Sequence, residues 1–109
     1  MGLDSITHIL ADLLAGMDAQ EVMLWRRAVP APAELLCRVG RPADGALPFP
    51  DVENGFAGTR FTEQGHLALA ALDAPGGLLV IAARRDAPFG DRDAKALRSV
   101  LHALAVSKI

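Results

Sequence analysis

The first 17 residues place their apolar side chains at the spacing of one face of a helix. Steps of three and four residues return to the same side of an α-helix, so the pattern predicts an amphipathic helix over residues 4 to 17. We expect Asp4 or Ser5 to cap its first turn, since either side chain accepts a bond from an unpaired backbone N–H. The apolar positions are Ile6, Ile9, Leu10, Leu13, Leu14 and Met17.

Two runs of strand length follow this helix. Residues Glu21 to Val29 contain Val and Trp and are stopped by Pro30, and the second run covers Glu34 to Val39. Because proline cannot donate a bond to a sheet ladder, the two runs are predicted to be separate strands that form a hairpin.

The stretch from residue 40 to 58 breaks every periodic pattern. Glycine and proline interrupt it seven times, so it is predicted to be a long loop. Loops of this length inside a compact domain are usually functional or mobile. The next five residues, Gly58 to Thr62, are interpreted as a short third strand.

The next two runs, His66 to Asp73 and Leu78 to Arg85, are apolar on both faces. A half-exposed strand would alternate apolar with polar residues, so these runs predict two central strands that are covered on each side. Between them, Pro75 and Gly76 suit a type II turn. If helices cover one face, the other face needs the central loop, a ligand or another protein.

The chain ends in a second amphipathic helix, introduced by Phe89 and Gly90. Its apolar stripe spans roughly half the circumference, whereas a helix on a sheet needs only about 100°. The stripe consists of Ala94, Leu97, Leu101, Leu104 and Ala105, widened by Ala96, Val100 and Ala103. Hairpins in place of strand-helix-strand units predict one α+β domain over residues 1 to 109, with an antiparallel sheet and both helices on one face.

Composition and charge exclude several classes of protein. The chain is 51% hydrophobic and 22% charged, which excludes intrinsic disorder, and its net charge of -2 gives no general attraction to nucleic acid or to an anionic membrane. Asp73, Pro75 and two glycines interrupt the longest apolar stretch, so no membrane span is expected. With one cysteine and no positively charged start, the expected location is cytoplasmic.

The last third of the chain resembles the end of a GAF domain. The strand Gly77-Leu78-Leu79-Val80-Ile81-Ala82 is followed by Phe89-Gly90-Asp91-Arg92-Asp93 and Leu97, which is similar to the family's last strand and its Phe-Ser/Thr-x-x-Asp-x-x-x-Leu helix start. Gly90 stands where the family usually has Ser or Thr, so only the acidic half of a capping box, Asp93, is present.

The resemblance implies a short GAF/PAS-like antiparallel sheet of five strands in the order 2-1-5-4-3, with the N- and C-terminal helices on one face. Members of the family that hold a cofactor usually place one or two helices between the second and third strands. Only residues 41 to 54 are available for such a lid here, so no cofactor is expected.

Few residue patterns suggest chemistry. The three histidines lack the spacing of a metal site, so no metal is expected. Cys37 alternates with Leu35 and Val39 and is expected to point to their side, and an enzyme using this thiol would need a base that no pattern supplies. Arg26-Arg27 and Arg84-Arg85 end two strands that neighbour each other in the implied order, which suggests either a basic cluster that binds an anion or simply solvated strand ends. The candidate effector-binding residues are Trp25, Arg27, Cys37, Phe56, Phe61, Leu69 and Arg84, and no catalytic residue is assigned.

Two functions remain open at this point. One is a non-enzymatic GAF-like regulatory module that binds a small effector or a protein partner. The other is a dimeric adaptor or assembly protein that has a degenerate GAF-like fold and no ligand. GAF domains commonly dimerise through their terminal helices, and the wide stripe on the last helix favours a homodimer. The candidate interface residues are Ile6, Leu10, Leu14, Ala96, Val100 and Ala103.

Overall fold

The computed structural model describes residues 2 to 41, 58 to 62 and 66 to 107. The five strands among these residues form one antiparallel sheet in the order β2-β1-β5-β4-β3, which confirms the predicted α+β architecture and strand order. The elements are α1 (Leu3–Met17), β1 (Glu21–Arg27), β2 (Glu34–Gly40), β3 (Gly58–Thr62), β4 (Leu67–Ala74), β5 (Gly77–Arg84) and α2 (Asp91–Val106).

The strand boundaries agree with the sequence pattern to within one residue except at the end of β1. This strand was predicted to reach Val29 but ends at Arg27. The chain already turns at this point, where the N–H of Ala31 donates to the carbonyl of Ala28 at 2.8 Å, so Val29 lies in the turn and is 74% exposed. Of the predicted loop, residues 40 to 58, Gly40 belongs to β2 and Gly58 to β3, and residues 42 to 57 lie outside the described part of the chain.

Helix α1 begins differently from the prediction. Its N-cap is Gly2, without a side-chain cap, and both Asp4 and Ser5 lie inside the first turn. The expectation that one of them caps the helix is therefore wrong. At the other end Asp18 adopts the left-handed conformation (φ 52°), and the N–H of Ala19 bonds to the carbonyl of Leu14 at 2.9 Å. This turn satisfies carbonyls that a helix end otherwise leaves without a partner.

Helix α2 begins as its sequence predicts. Asp93 Oδ2 accepts a bond from the N–H of Gly90 at 2.9 Å, and the N–H of Asp93 donates to the Gly90 carbonyl at 3.0 Å. The preceding Phe89 is 7% exposed and packs into the core. Asp93 as the acidic half of the capping box and Phe89 in front of it therefore fix where α2 begins.

Both helices pack on one face of the sheet, which we call the helix face. Helix α2 buries Ala94, Leu97, Leu101 and Leu104 there, as its apolar stripe predicts. Burying a large aliphatic side chain contributes about 1.5–3 kcal/mol, so this face holds much of the stabilising apolar area. Within the described residues, no helix is long and apolar enough to cross a membrane.

The packing of α1 corrects part of the predicted dimer interface. Ile6 is 6% exposed and Leu10 is 0% exposed, and both belong to the core between α1 and the sheet. The sheet buries the apolar stripe of a helix that packs on it. These two side chains therefore leave no surface for a second copy of the chain.

The turn between β4 and β5 has two residues, because Ala74 pairs with Gly77 in the ladder. The positive φ lies at Gly77 (128°) and not at Gly76, so the predicted type II turn is wrong. Position 77 requires glycine for a second reason, since a Cβ there would lie 2.6 Å from the carbonyl oxygen of Arg27 in β1.

Candidate functional site on the Trp25 face

A second group of buried apolar residues lies on the side of the sheet opposite the helices. Because strand side chains alternate, every second residue of the central strands points away from α1 and α2. We call this side the Trp25 face. Its buried residues are Met23, Trp25, Leu69, Ala71, Leu78, Val80 and Ala82, with Leu67 packed against them. The prediction that the central strands are apolar and covered on both faces is therefore confirmed.

Four of the predicted effector-binding residues lie on the Trp25 face. Trp25 is 5% exposed and Leu69 2% exposed, and both belong to its buried cluster. Arg27 and Arg84 continue the same alternation along β1 and β5. Whether these residues bind an effector is a prediction that the geometry alone does not test.

The predicted basic cluster does not form. Strands β1 and β5 are indeed neighbours, but they run antiparallel, so Glu21 pairs with Arg84 whereas Arg27 pairs with Leu78. The pairs Arg26-Arg27 and Arg84-Arg85 therefore lie at opposite ends of the sheet. The prediction that β1 and β5 are neighbours is confirmed, but their antiparallel direction places the two arginine pairs far apart.

Cys37 lies on the helix face, and its neighbour Leu35 does not share that face. The register between β1 and β2 shifts after Leu24, so Cys37 pairs with Leu24 while Leu35 pairs with Trp25. A β-bulge of this kind adds one residue and reverses the alternation. The expectation that Leu35 and Cys37 share a side is therefore wrong, and Leu35 is 46% exposed. The Cys37 sulfur lies 3.4 Å from the Thr7 hydroxyl of α1.

The two predicted phenylalanines contribute differently. Phe61 in β3 pairs with Ala68, which belongs to the helix-face core, so Phe61 also lies on that side and is 39% exposed. Phe56 lies outside the described residues. Of the seven candidates, the sheet thus brings four to the Trp25 face and two to the helix face.

A buried carboxylate on the Trp25 face was missed by sequence reasoning. Glu21 is 1% exposed, although burying an isolated carboxylate is strongly unfavourable. Two arginines compensate it: Arg84 Nε lies 3.5 Å from Oε1, and Arg38 Nε lies 3.6 Å from Oε2. The available signal was its position, two residues before Met23 and directly before four apolar residues, which places it on the face of Met23 and Trp25.

Arg84 connects this carboxylate to the chain around it. Its Nη1 donates to Gln20 Oε1 at 2.6 Å and its Nη2 to the carbonyl of Arg41 at 3.0 Å. The N–H of Gln20 donates in turn to the Arg84 carbonyl at 2.8 Å, and the N–H of Arg41 donates to the Gln20 carbonyl at 2.7 Å. These bonds join the start of β1 to the ends of β2 and β5 at one corner of the Trp25 face.

Open clefts lie at the two ends of the sheet. One, of about 600 Å³, lies at the corner where Arg41 follows β2, between Leu14 of α1 and Asp86. The other, of about 560 Å³, lies beside Arg27, with Val29, Asp73 and Leu78 in its walls. Both volumes fall within the range of small-molecule sites, and both clefts combine apolar surface with charges of each sign.

The described residues contain no group of three or more His, Cys, Asp or Glu side chains placed to hold a metal ion. The described contact of the Cys37 sulfur is with the hydroxyl of Thr7, which is not a general base of the kind a nucleophilic thiol requires. The groups that the Trp25 face offers for contact are apolar side chains and guanidinium groups.

Comparison with known proteins gives one informative likeness. Neither a protein-family model nor a curated protein sequence matches the chain. Among solved structures it is similar to the GAF3 domain of Slr1393 from Synechocystis sp. PCC6803, determined in its photoproduct state. The TM-score is 0.66 at 14% sequence identity, and the alignment covers 97% of this chain and 92% of that one. Together with the observed strand order, this likeness shows that the chain has a GAF-like α+β fold.

Proposed function

We propose that this chain is a non-enzymatic GAF-like sensory or regulatory module that binds a small effector through its Trp25 face. The observation that carries the proposal is the second buried apolar cluster, which includes Trp25 and Leu69 and lies on the side of the sheet opposite α1 and α2. A fold that needed only stability would be served by one covered face and one polar face. A cytoplasmic location is part of the proposal, supported by the single cysteine.

A thermal-shift screen over a broad metabolite panel tests the effector. A ligand that binds only the native state raises the melting temperature by mass action, by an amount that grows with its concentration. Trp25 is the single tryptophan, so its fluorescence reports directly on the proposed face. A panel in which no compound shifts the melting temperature or the Trp25 emission would contradict this half of the proposal.

Two conservative variants locate the binding surface. Trp25→Phe is expected to weaken the effector's thermal shift, since it replaces the indole of the Trp25 face by a smaller ring. Phe61→Leu, a change of similar size on the helix face, is the matched control and is expected to leave the shift unchanged. Equal losses in both variants would place the effector elsewhere on the protein.

A homodimer through the helices is the second candidate, in which the chain acts as an adaptor. Ala96 and Val100 of α2 remain partly exposed, Ala103 is exposed, and Val106 is 78% exposed. These residues lie beside the buried stripe and widen it, as a helical interface requires. Light scattering at micromolar concentration is expected to give twice the monomer mass, and Val100→Glu is expected to lower it. A monomer mass for the parent protein would remove this candidate.

A further inference from the structure

Arg84 and Arg85 are adjacent in the chain, yet their side chains serve opposite faces of the sheet. Arg84 lies on the Trp25 face, opposite Glu21. Arg85 follows it, and because side chains alternate along an extended chain its guanidinium lies on the side of the helices. The N–H of Arg85 still donates to the carbonyl of His66 at 3.1 Å, so the backbone of this dipeptide remains tied to the sheet.

On the Trp25 face, Arg84 is held by Glu21, Gln20 and the carbonyl of Arg41. Its side chain is 22% exposed and that of Glu21 1% exposed, so the bonds of Arg84 to Glu21 and Gln20 are partly shielded from water, whereas its bond to the Arg41 carbonyl is exposed. In a shielded polar network each member depends on the others, because a lost partner leaves a group whose desolvation is no longer compensated. The position of Arg84 therefore depends on how Glu21 is bound.

On the other side, Arg85 ties both helices to the end of β5. Its guanidinium donates to the carbonyl of Met17 in the last turn of α1, to the carbonyls of Ala87 and Pro88, and to Asp93 in the first turn of α2. It also lies 4.2 Å above the centre of the Phe89 ring. One side chain thus fixes the end of α1, the connecting loop and the start of α2.

We propose that the Arg84-Arg85 dipeptide couples the Trp25 face to both helices. A change in the bonding of Glu21 displaces Arg84, and the shared backbone passes this displacement to Arg85 and so to the facing ends of α1 and α2. Gln20 adds a second link, because its Nε2 donates to Asp86 at 2.8 Å. Use of this coupling in signalling rests on the proposed sensory function, whereas the coupling itself exists in the protein without ligand.

A double-mutant cycle between Glu21→Gln and Asp93→Asn tests the coupling. The two residues share no bonding partner, since Glu21 binds Arg38 and Arg84 whereas Asp93 binds Arg85 and Gly90. Independent sites contribute additively to stability, so any interaction must pass through the intervening structure. Each single variant raises the equilibrium constant for unfolding by some factor. We expect the factor for the double variant to be at least threefold smaller than the product of the two single factors, because Glu21→Gln already loosens the contacts of Asp93.

The matched control is the cycle between Glu34→Gln and Asp93→Asn. Glu34 also pairs with an arginine, Arg26, but at the opposite end of the sheet. That cycle is expected to be additive within twofold. If Glu21→Gln does not fold, Arg38→Gln takes its place. Arg38 is 39% exposed, and its replacement removes one of the two positive charges that compensate Glu21.

Native-state hydrogen exchange provides the second readout. The amides of Asp18 and Ala94 form hydrogen bonds at the end of α1 and the start of α2. When the two variants are compared under conditions of equal global stability, Glu21→Gln is expected to accelerate exchange at these amides more than Glu34→Gln does. A departure from additivity below threefold, or equal exchange at these amides in the two variants, would overturn the coupling. Neither result would alter the ligand screen, and a ligand screen without a hit would leave the coupling in place.

Discussion

Gly77 shows how a single residue fixes the packing between β1 and β5. Its φ of 128° is unfavourable for any residue with a side chain, and a Cβ would lie 2.6 Å from the carbonyl oxygen of Arg27. Gly77→Ala is therefore expected to lower the free energy of unfolding by about 2–4 kcal/mol, as strain and overpacking combine. Urea denaturation measures this loss.

Gly58 provides the control for that prediction. It has a similar φ of 125°, but among the described residues no atom lies within 4 Å of the position that a Cβ would take. Gly58→Ala should therefore cost only the backbone strain, about 1–2 kcal/mol. Equal losses in the two variants would mean that the contact with Arg27 relaxes freely.

At the scale of elements, the start of α2 depends on one carboxylate. Asp93 accepts bonds from the N–H of Gly90 and from Arg85, and the side chains of this ion pair are each 17% exposed. Asp93→Ala is expected to lower the free energy of unfolding by about 1–2 kcal/mol, because it removes a cap and a shielded ion pair together. The measurement is again urea denaturation, followed by circular dichroism.

Asp91 lies in the same turn of α2 and is exposed, which makes Asp91→Ala the natural comparison. It occupies the same favourable position near the positive end of the helix but makes no such bond to any residue that the structure describes, so its removal is expected to cost at most about 0.5 kcal/mol. If Asp91→Ala proved as costly as Asp93→Ala, general charge at the helix start, and not the specific bonds of Asp93, would hold α2 in place.

Local patterns predicted the elements well because each one depends on its own residues. The stripe of α2, the apolar runs of β4 and β5 and the helix start at Gly90 and Asp93 are all local signals. The β-bulge after Leu24 is not, since it depends on how two strands pair, and it moved Leu35 away from the face of Cys37.

The candidate site was only partly predictable for the same reason. Alternation groups Leu69 with Leu67 and Ala71 within its own strand, because period two is a property of each strand alone, but which residues of different strands share a face depends on how the strands pair. To predict the separation of Arg27 from Arg84, the direction of β1 and β5 must be known. To predict the burial of Glu21, one must know that Arg38 and Arg84 flank it. Both are relations between distant parts of the chain, which no single stretch records.

At the scale of the whole molecule, the two buried clusters cannot separate without breaking the same strands. Leu24 and Ile81 belong to the helix-face core, while Trp25 and Val80 belong to the Trp25 face, although they are neighbours along β1 and β5. A strand that leaves one cluster therefore leaves the other as well. The effector proposed for the Trp25 face would for this reason stabilise the helix face equally, since ligand binding to the native state opposes every unfolding route that exposes the site.

This shared backbone predicts a single cooperative unfolding transition seen identically from both faces. Trp25 fluorescence reports the Trp25 face, and reaction of the single thiol, Cys37, reports the helix face. Met23→Ala and Leu24→Ala remove neighbouring side chains that are 2% and 0% exposed and belong to different clusters, and each is expected to cost about 2–5 kcal/mol. Each variant should shift the urea midpoints of both probes together, because small domains of this kind unfold as one unit. Two separated midpoints in either variant would show that the faces unfold independently, and would remove the physical basis for passing a signal from one to the other.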